Sequence, residues 1–198
     1  MQITLMSLSV TRKILTYTGH DFSTLGRASF ECSFALSWTA METVSILVDV
    51  QNVYYTTKSA YGRNFDYRKF FVIASQGRTV VNAVAYAIDR GDEKQRNFQN
   101  ILKTIGFEVK LKPFIQRSDG SAKGDWDVGI ALDAMDFAEQ SDRIVLVSGD
   151  GDFDLLANRI RTNHNSVVEV YGVEKLTAAS LVRAASFFIP IEHSLLMD

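Results

Sequence analysis

Two apolar runs in this chain end in carboxylates. Val44-Ser45-Ile46-Leu47-Val48 leads into Asp49, and Ile144-Val145-Leu146-Val147 leads through Ser148 and Gly149 to Asp150 and, past Gly151, Asp152. Short runs rich in β-branched residues are expected to be buried strands. In an open α/β sheet, ligands bind beyond the carboxyl ends of the strands. Two acid-terminated strands therefore predict an acidic crevice at one sheet edge. Carboxylates brought together repel unless a proton or cation lies between them, and a hard divalent cation takes oxygen ligands of this kind. Asn52, three residues past Asp49, adds an amide suited to a phosphate or a ligand water. The small residues around Asp150 and Asp152 let the backbone bend sharply. Capping the turn that follows is the competing role for Asp49, and capping the next helix is the competing role for Asp152; Asp154 falls where the dipole of that helix favours an acid.

A third group opens a helix: Lys123-Gly124-Asp125-Trp126-Asp127-Val128. Asp125 or Asp127 is an expected N-cap, and either acid at a helix start can also reach the strand ends. Asp127 and Asp133, six residues apart, fall on different faces of a 3.6-residue helix and are not expected to share one ion. Leu132 and Met135 are read as core. Lys123 is placed to offset charge building up on a phosphate, and Tyr54, Tyr55 and Trp126 are placed to stack bases, with packing as the simpler role for each aromatic.

These groups need a scaffold, and the pattern from residue 41 onward alternates. Strands are expected at about 44–49, 79–88, 107–115, 143–148 and 166–172. Helices are expected at about 66–76, 92–105, 126–140, 152–162 and 175–185. A polar loop with an Asp119-Gly120 turn covers 116–125, and Phe187–Pro190 is expected as an edge strand. Asp66 is the expected N-cap of the first helix, with Gly77 and Gly106 closing the first two. Strands alternating with helices imply α/β architecture, a three-layer α/β/α stack around a mainly parallel sheet of five to six strands. Residues 1–40 do not fit this pattern. They are rich in Ser and Thr, hold only Asp21 and Glu31 as acids, and are read as a disordered or mis-assigned leader, with Met41 as the natural start and 41–198 as the domain.

Composition narrows the functions. The 198 residues carry 21 Lys and Arg against 23 Asp and Glu, a net charge of −2. That argues against a protein gripping nucleic acid by bulk charge, but not against a nuclease whose acids hold cations that in turn meet phosphate. The single cysteine, Cys32, excludes an intramolecular disulfide and a cysteine-cluster zinc site. His20, His164 and His193 lack metal-ligand spacing. No apolar run reaches the roughly 20 residues that span a bilayer, so no membrane association is expected, and a cytoplasmic location is. The phosphate-loop and dinucleotide-binding glycine patterns are absent. Gln51 stands where a haloacid-dehalogenase-type phosphatase needs its second aspartate.

Asp49…Asn52, Lys123-Gly124-x-x-Asp127-Val128 and Ser148-Gly149-Asp150-Gly151-Asp152-Phe153 occur in that order. Together they resemble a NYN domain of the LabA-like branch of the PIN-like nuclease superfamily, from about Val44 to Phe188. The resemblance implies a PIN-like sheet, Mg²⁺ or Mn²⁺, and metal-dependent hydrolysis of RNA phosphodiester bonds. Position by position, it implies Asp49, Asp127, Asp150 and Asp152 as catalytic metal ligands, and Asn52, Lys123 and Ser148 as substrate contacts. The expected partner is an RNA substrate, with a homodimer contact through the apolar C-terminal residues (Phe187, Phe188, Ile189, Leu195, Leu196) as an option beside core packing. Two departures stand out. Val50-Gln51 replaces the small residue often found after the first acid. The middle motif is one residue longer than usual, which leaves Asp125 or Asp127 as its acid; Asp127 is preferred because Val128 follows it. The alternative is a weak or inactive NYN module that regulates by binding RNA or protein.

Overall fold

The computed structural model describes residues 41–89, 91–113, 115–116, 122–123 and 125–198. The expectations for residues 1–40 and for the Asp119-Gly120 turn lie outside the described residues. Six parallel strands form the central sheet: β1 (Thr43–Asp49), β2 (Thr79–Asp89), β3 (Glu108–Pro113), β6 (Arg143–Val147), β7 (Val167–Gly172) and β8 (Phe187–Pro190), in the order β3-β2-β1-β6-β7-β8. A small antiparallel hairpin pairs β4 (Ile115–Gln116) with β5 (Ala122–Lys123), inside the stretch expected to be loop.

Period-2 alternation sorts the strand residues into two cores. Val44, Ile46 and Val48 of β1, with Val145 and Val147 of β6, meet α1 (Val50–Tyr61), α2 (Tyr67–Ser75) and α3 (Glu93–Ile105) through Val53, Phe70 and Leu102. Leu47, Tyr86, Ile144, Leu146 and Val170 face the other way. They meet α4 (Asp127–Ala138), α5 (Asp154–Asn163) and α6 (Ala179–Ala184) through Ile130, Ala157 and Leu181. The three-layer arrangement expected from the alternating pattern is the one found, with the sheet parallel throughout. At the C-terminus Leu195 and Leu196 are buried core, whereas Phe187 on the edge strand is exposed.

Helix α1 is the element that the pattern of the sequence hides. Only a turn was expected after Asp49. Its run Val50-Gln51-Asn52-Val53-Tyr54-Tyr55-Thr56-Thr57 is β-branched and aromatic, a weak helix former. Capping and burial outweigh that preference. The Asp49 carboxylate accepts the Asn52 N–H at 3.1 Å, Gly62 closes the helix in the left-handed region at φ +66°, and Val53 and Thr57, four residues apart, bury one face. Leu132 departs from its expected place in the core: it is 63% exposed on α4, while Met135 packs against the core as expected. The face of α4 toward the sheet is taken by Ile130, Ala134 and Ala138.

At the amino ends of the strands, four charged side chains interlock. Arg78 pairs with Glu169 through both guanidinium nitrogens at 3.0 and 3.1 Å and with Glu42 at 3.3 Å. Arg143 bonds Glu42 at 2.7 Å and also contacts Glu169. This network ties the starts of β1, β2 and β6 to β7.

Candidate active site at the carboxyl edge of the sheet

From β1 the chain order runs outward in opposite directions, β2 and β3 to one side and β6, β7 and β8 to the other. The gap between β1 and β6 is the topological switch point, where ligand crevices form in such sheets. Asp49 ends β1, and Asp150 follows β6 by way of Ser148 and Gly149. The turns beyond the two strands are laced together. The Asn52 side-chain oxygen accepts the Gly149 N–H at 2.9 Å. The Ser148 hydroxyl donates to Asp49 in a long bond of 3.4 Å and accepts the Asp150 N–H at 3.2 Å. Asp150 in turn accepts the Asp152 N–H at 3.1 Å and so caps the single 3₁₀ turn Gly151–Phe153. Gly149 is required by close approach: a Cβ there would stand 2.9 Å from the Leu176 carbonyl oxygen.

The Asn52 side-chain oxygen and the Ser148 hydroxyl thus bind the loops of the crevice. Both were expected to contact substrate. Lys123, expected to do the same, is described through its backbone only, and its side chain lies outside the described residues.

Asp127 is the first residue of α4. Its position is set by Trp126, whose indole N–H donates to the Ala87 carbonyl at 2.9 Å and whose ring meets Tyr86 edge-on at 5.4 Å. Trp126 needs Gly129 one turn on, because a Cβ there would stand 2.6 Å from the indole ring. The tryptophan is therefore a wedge between β2 and α4, not a free stacking platform. Tyr54 and Tyr55 are both about half exposed on α1.

Charge couples the acids of the two turns and of α4. Burial raises the pKa of Asp49 from the usual 3.8 to about 6, and the charges of Asp127 and Asp150 push it further the same way. The Asn52 N–H and the Ser148 hydroxyl act in opposition. Asp127 is raised too, by burial first and then by Asp150, Asp125 and Asp152, against a smaller opposite pull from Lys112. Asp49, Asp127 and Asp150 therefore feel one another, and Asp152 joins through Asp127. Asp125 acts on Asp127 but is not among the groups that raise Asp49, which favours Asp127 as the acid of the middle motif. Among the described residues no three His, Cys, Asp or Glu side chains stand close enough to hold one metal ion between them.

Lys112 is a site residue that the reading of the sequence missed. Its ammonium lies 5.4 Å from the centre of the Trp126 ring and donates to the Asp125 carbonyl at 2.7 Å. The signal was the alternation Glu108-Val109-Lys110-Leu111-Lys112, which puts both lysines on one face of β3. Lys110 uses that face to reach Asp133 at 2.7 Å, and the same Asp133 oxygen accepts the Tyr86 hydroxyl at 2.6 Å.

Known proteins are similar to this chain. A crystal structure of a protein of unknown function from Vibrio parahaemolyticus is 56% identical, covers 79% of this chain and 97% of its own, and superposes with a TM-score of 0.76. The low amplitude and bright protein LabA of Synechococcus elongatus is 28% identical over 156 residues, which span 75% of this chain and 83% of LabA. No described helix is long and apolar enough to cross a membrane. The NYN domain model matches residues 43–192, from the first strand to beyond the last, and the chain belongs to the NYN domain family.

Proposed function

We propose that the chain is a metal-dependent endoribonuclease acting through the acids at the β1–β6 switch point. The observation that carries the reading is the mutual repulsion of Asp49, Asp127 and Asp150, contributed by three distant segments to one crevice. Packing alone gives no reason to gather three carboxylates at the mouth of a sheet, whereas a divalent cation does. The donor set is all oxygen, which suits Mg²⁺ or Mn²⁺. Mg²⁺ keeps several of its waters and binds proteins through one or two carboxylates. Carboxylates too far apart for a closed three-ligand cluster are compatible with that habit, with Asp49, Asp127, Asp150 and Asp152 holding the ion directly or through its waters.

When bound, the ion supplies polarisation of a phosphoryl oxygen and an activated water for in-line attack. The protein's own part is placement. Asn52 and Ser148 fix the loop that carries Asp150, and the Trp126 wedge fixes Asp127. Lys112, whose charge acts on Asp127, balances charge on the strand being cut. Asp49 binds a proton or a cation in competition, so ion affinity falls as pH drops through about 6. Products should carry 5′-phosphate and 3′-hydroxyl ends.

A regulatory module that binds RNA or protein without cutting is the second reading, favoured by the lack of a closed ligand cluster among the described residues. Incubating the purified chain with mixed single-stranded RNAs separates the two. Cutting that needs Mn²⁺, stops in chelator and falls by at least about 100-fold in Asp150→Asn, the order lost when a key electrostatic group leaves a polar site, supports the nuclease. Metal-independent binding with no cutting overturns it.

A further inference from the structure

A groove of about 1160 Å³ opens on the α1–α3 side of the sheet, between α1, α3 and the Asn64–Arg68 segment. It exceeds the roughly 300–1,000 Å³ that suits one small ligand. Its walls are two helical stripes. Helix α1 offers Tyr54 and Tyr55, 49% and 55% exposed, and helix α3 offers Phe98 and Ile101, the latter 53% exposed. The two tyrosines pack edge-on at 5.3 Å, and Tyr54 is half exposed beside the groove. Large apolar side chains this exposed are not core, and here they line a single channel.

Three cations stand at the rim: Lys58, Arg68 and Lys94. Neither Arg68 nor Lys94 forms an ion pair among the described residues. Three acids also line the groove, but two are engaged with backbone. Asp66 accepts the Arg68 and Lys69 N–H groups at the start of α2, and Asp92 accepts the Gln95 N–H at the start of α3. Lys58 donates to the Gly62 carbonyl at 3.3 Å, which leaves Arg68 and Lys94, among the described residues, as the unpaired cations beside aromatic and apolar walls, the pairing that single strands of nucleic acid use: charge for the backbone, rings for the bases.

Neighbours of the crevice acids line the groove. Val50 and Gln51 line it and directly follow Asp49; Ala87 lines it and holds the Trp126 wedge that precedes Asp127. Tyr67 in its wall has a raised pKa, from burial first and then from the charge of Asp49.

We propose that this groove holds the bases of single-stranded RNA flanking the cut, the strand bending over the edge of the sheet from the acids to the α1–α3 side. The proposal rests on the nuclease reading for the identity of the strand, and it makes the length of substrate a determinant of affinity: a strand that only reaches the acids forgoes the groove.

Binding is measured on the intact chain in chelator, by fluorescence anisotropy, with labelled oligouridines of about four and about twelve nucleotides. The expected result is at least tenfold tighter binding of the longer strand. Tyr54→Ala and Ile101→Glu, both at half-exposed positions, should each weaken the longer strand roughly tenfold. Equal affinity for the two lengths, or full-strength binding by both variants, overturns the proposal even where Mn²⁺-dependent cutting is intact. Length-dependent binding that both variants weaken, in a chain that never cuts RNA with Mn²⁺, supports the groove and sinks the nuclease reading alone. A dimer in light scattering that Ile101→Glu dissociates, with RNA affinity unchanged, overturns the proposal and assigns the groove to a second copy of the chain.

Discussion

At the amino ends of the strands Glu42 and Glu169 each meet two arginines, whereas at the carboxyl ends Asp49, Asp127 and Asp150 meet one another. The same two strands carry both arrangements. Glu42 precedes β1 and Asp49 ends it; Arg143 begins β6 and Asp150 follows it. Acidity alone therefore does not mark a functional residue. What separates the two ends is compensation: one set of charges is matched within the fold, and the other is left for something from outside. The matched end should resist any change of partner, and the unmatched end should become more stable when a charge is removed.

Breaking the matched end has the largest expected effect on stability. Arg143 and Glu169 expose only 13% and 9% of their side chains, and removing Arg143 leaves Glu169 and Glu42 to share Arg78 alone, with one partly buried negative charge uncompensated. Arg143→Ala should cost about 3–5 kcal/mol, lowering the melting temperature by at least about 6 °C for a domain of this size. Thermal unfolding followed by circular dichroism tests it. A shift of less than about 2 °C would mean that the network is surface decoration, and the contrast between the two ends would lose its meaning.

Relieving the unmatched end sharpens the contrast in the opposite direction. Asp49 titrates near 6 in the folded chain against 3.8 when exposed. Its folded pKa is raised, so the native state holds the proton more tightly than the unfolded state. Above pH 6 both states are ionised and the burial of the charge costs roughly 3 kcal/mol. As pH falls from about 6 to 3.8 the native state protonates first and the penalty is relieved. The metal-free chain should gain stability from this group between pH 7 and pH 5, while saturating Mn²⁺ at pH 7 should remove the same penalty and flatten the trend. Asp49→Asn keeps an oxygen to cap α1 and loses the charge, so it should melt higher than the parent at pH 7 and respond little to Mn²⁺, a site that gives up stability for function. Lower stability in this variant would show that the acids are compensated by something other than an external cation.

The contrast also explains how far the sequence could be read. Strand ends at Asp49 and Asp150 were legible, because buried parallel strands are continuous apolar runs and the acids interrupt them abruptly. The order of the strands was not legible, because the crossover rule fixes only the handedness of each connection. Helix α1 was not legible, since its Tyr-Tyr-Thr-Thr segment prefers an extended chain, and only the Asp49 cap together with the burial of Val53 and Thr57 makes it helical. The same blind spot hid the groove, whose wall is that helix. The arginine network was invisible for a different reason: Glu42, Arg78, Arg143 and Glu169 are scattered singly along the chain, and only the parallel register brings them together. Leu132 looked like core because nothing in the sequence says that Ile130, Ala134 and Ala138 already fill the face of α4 toward the sheet.

The smallest expected effect lies between the two ends. Tyr86 is in register with Asp49 on the neighbouring strand, and its buried hydroxyl donates to Asp133, which Lys110 also holds. Both burial and the Asp133 carboxylate raise the pKa of this tyrosine, so it remains a neutral donor at any ordinary pH. The bond fastens the middle of α4 to β2, one and a half turns beyond Asp127. Tyr86→Phe keeps the ring against Trp126 and removes only the hydroxyl. Asp133 retains Lys110, so no charge is stranded, and the loss should be about 1 kcal/mol. Loosening α4 should nonetheless let Asp127 drift, and Mn²⁺ affinity by calorimetry should fall a few-fold with the fold intact. Stability lost with ion affinity unchanged would make the Tyr86–Asp133–Lys110 triad part of the matched architecture. Ion affinity lost with little change in stability would make it the support of the unmatched site, acting on the crevice through the first turn of α4.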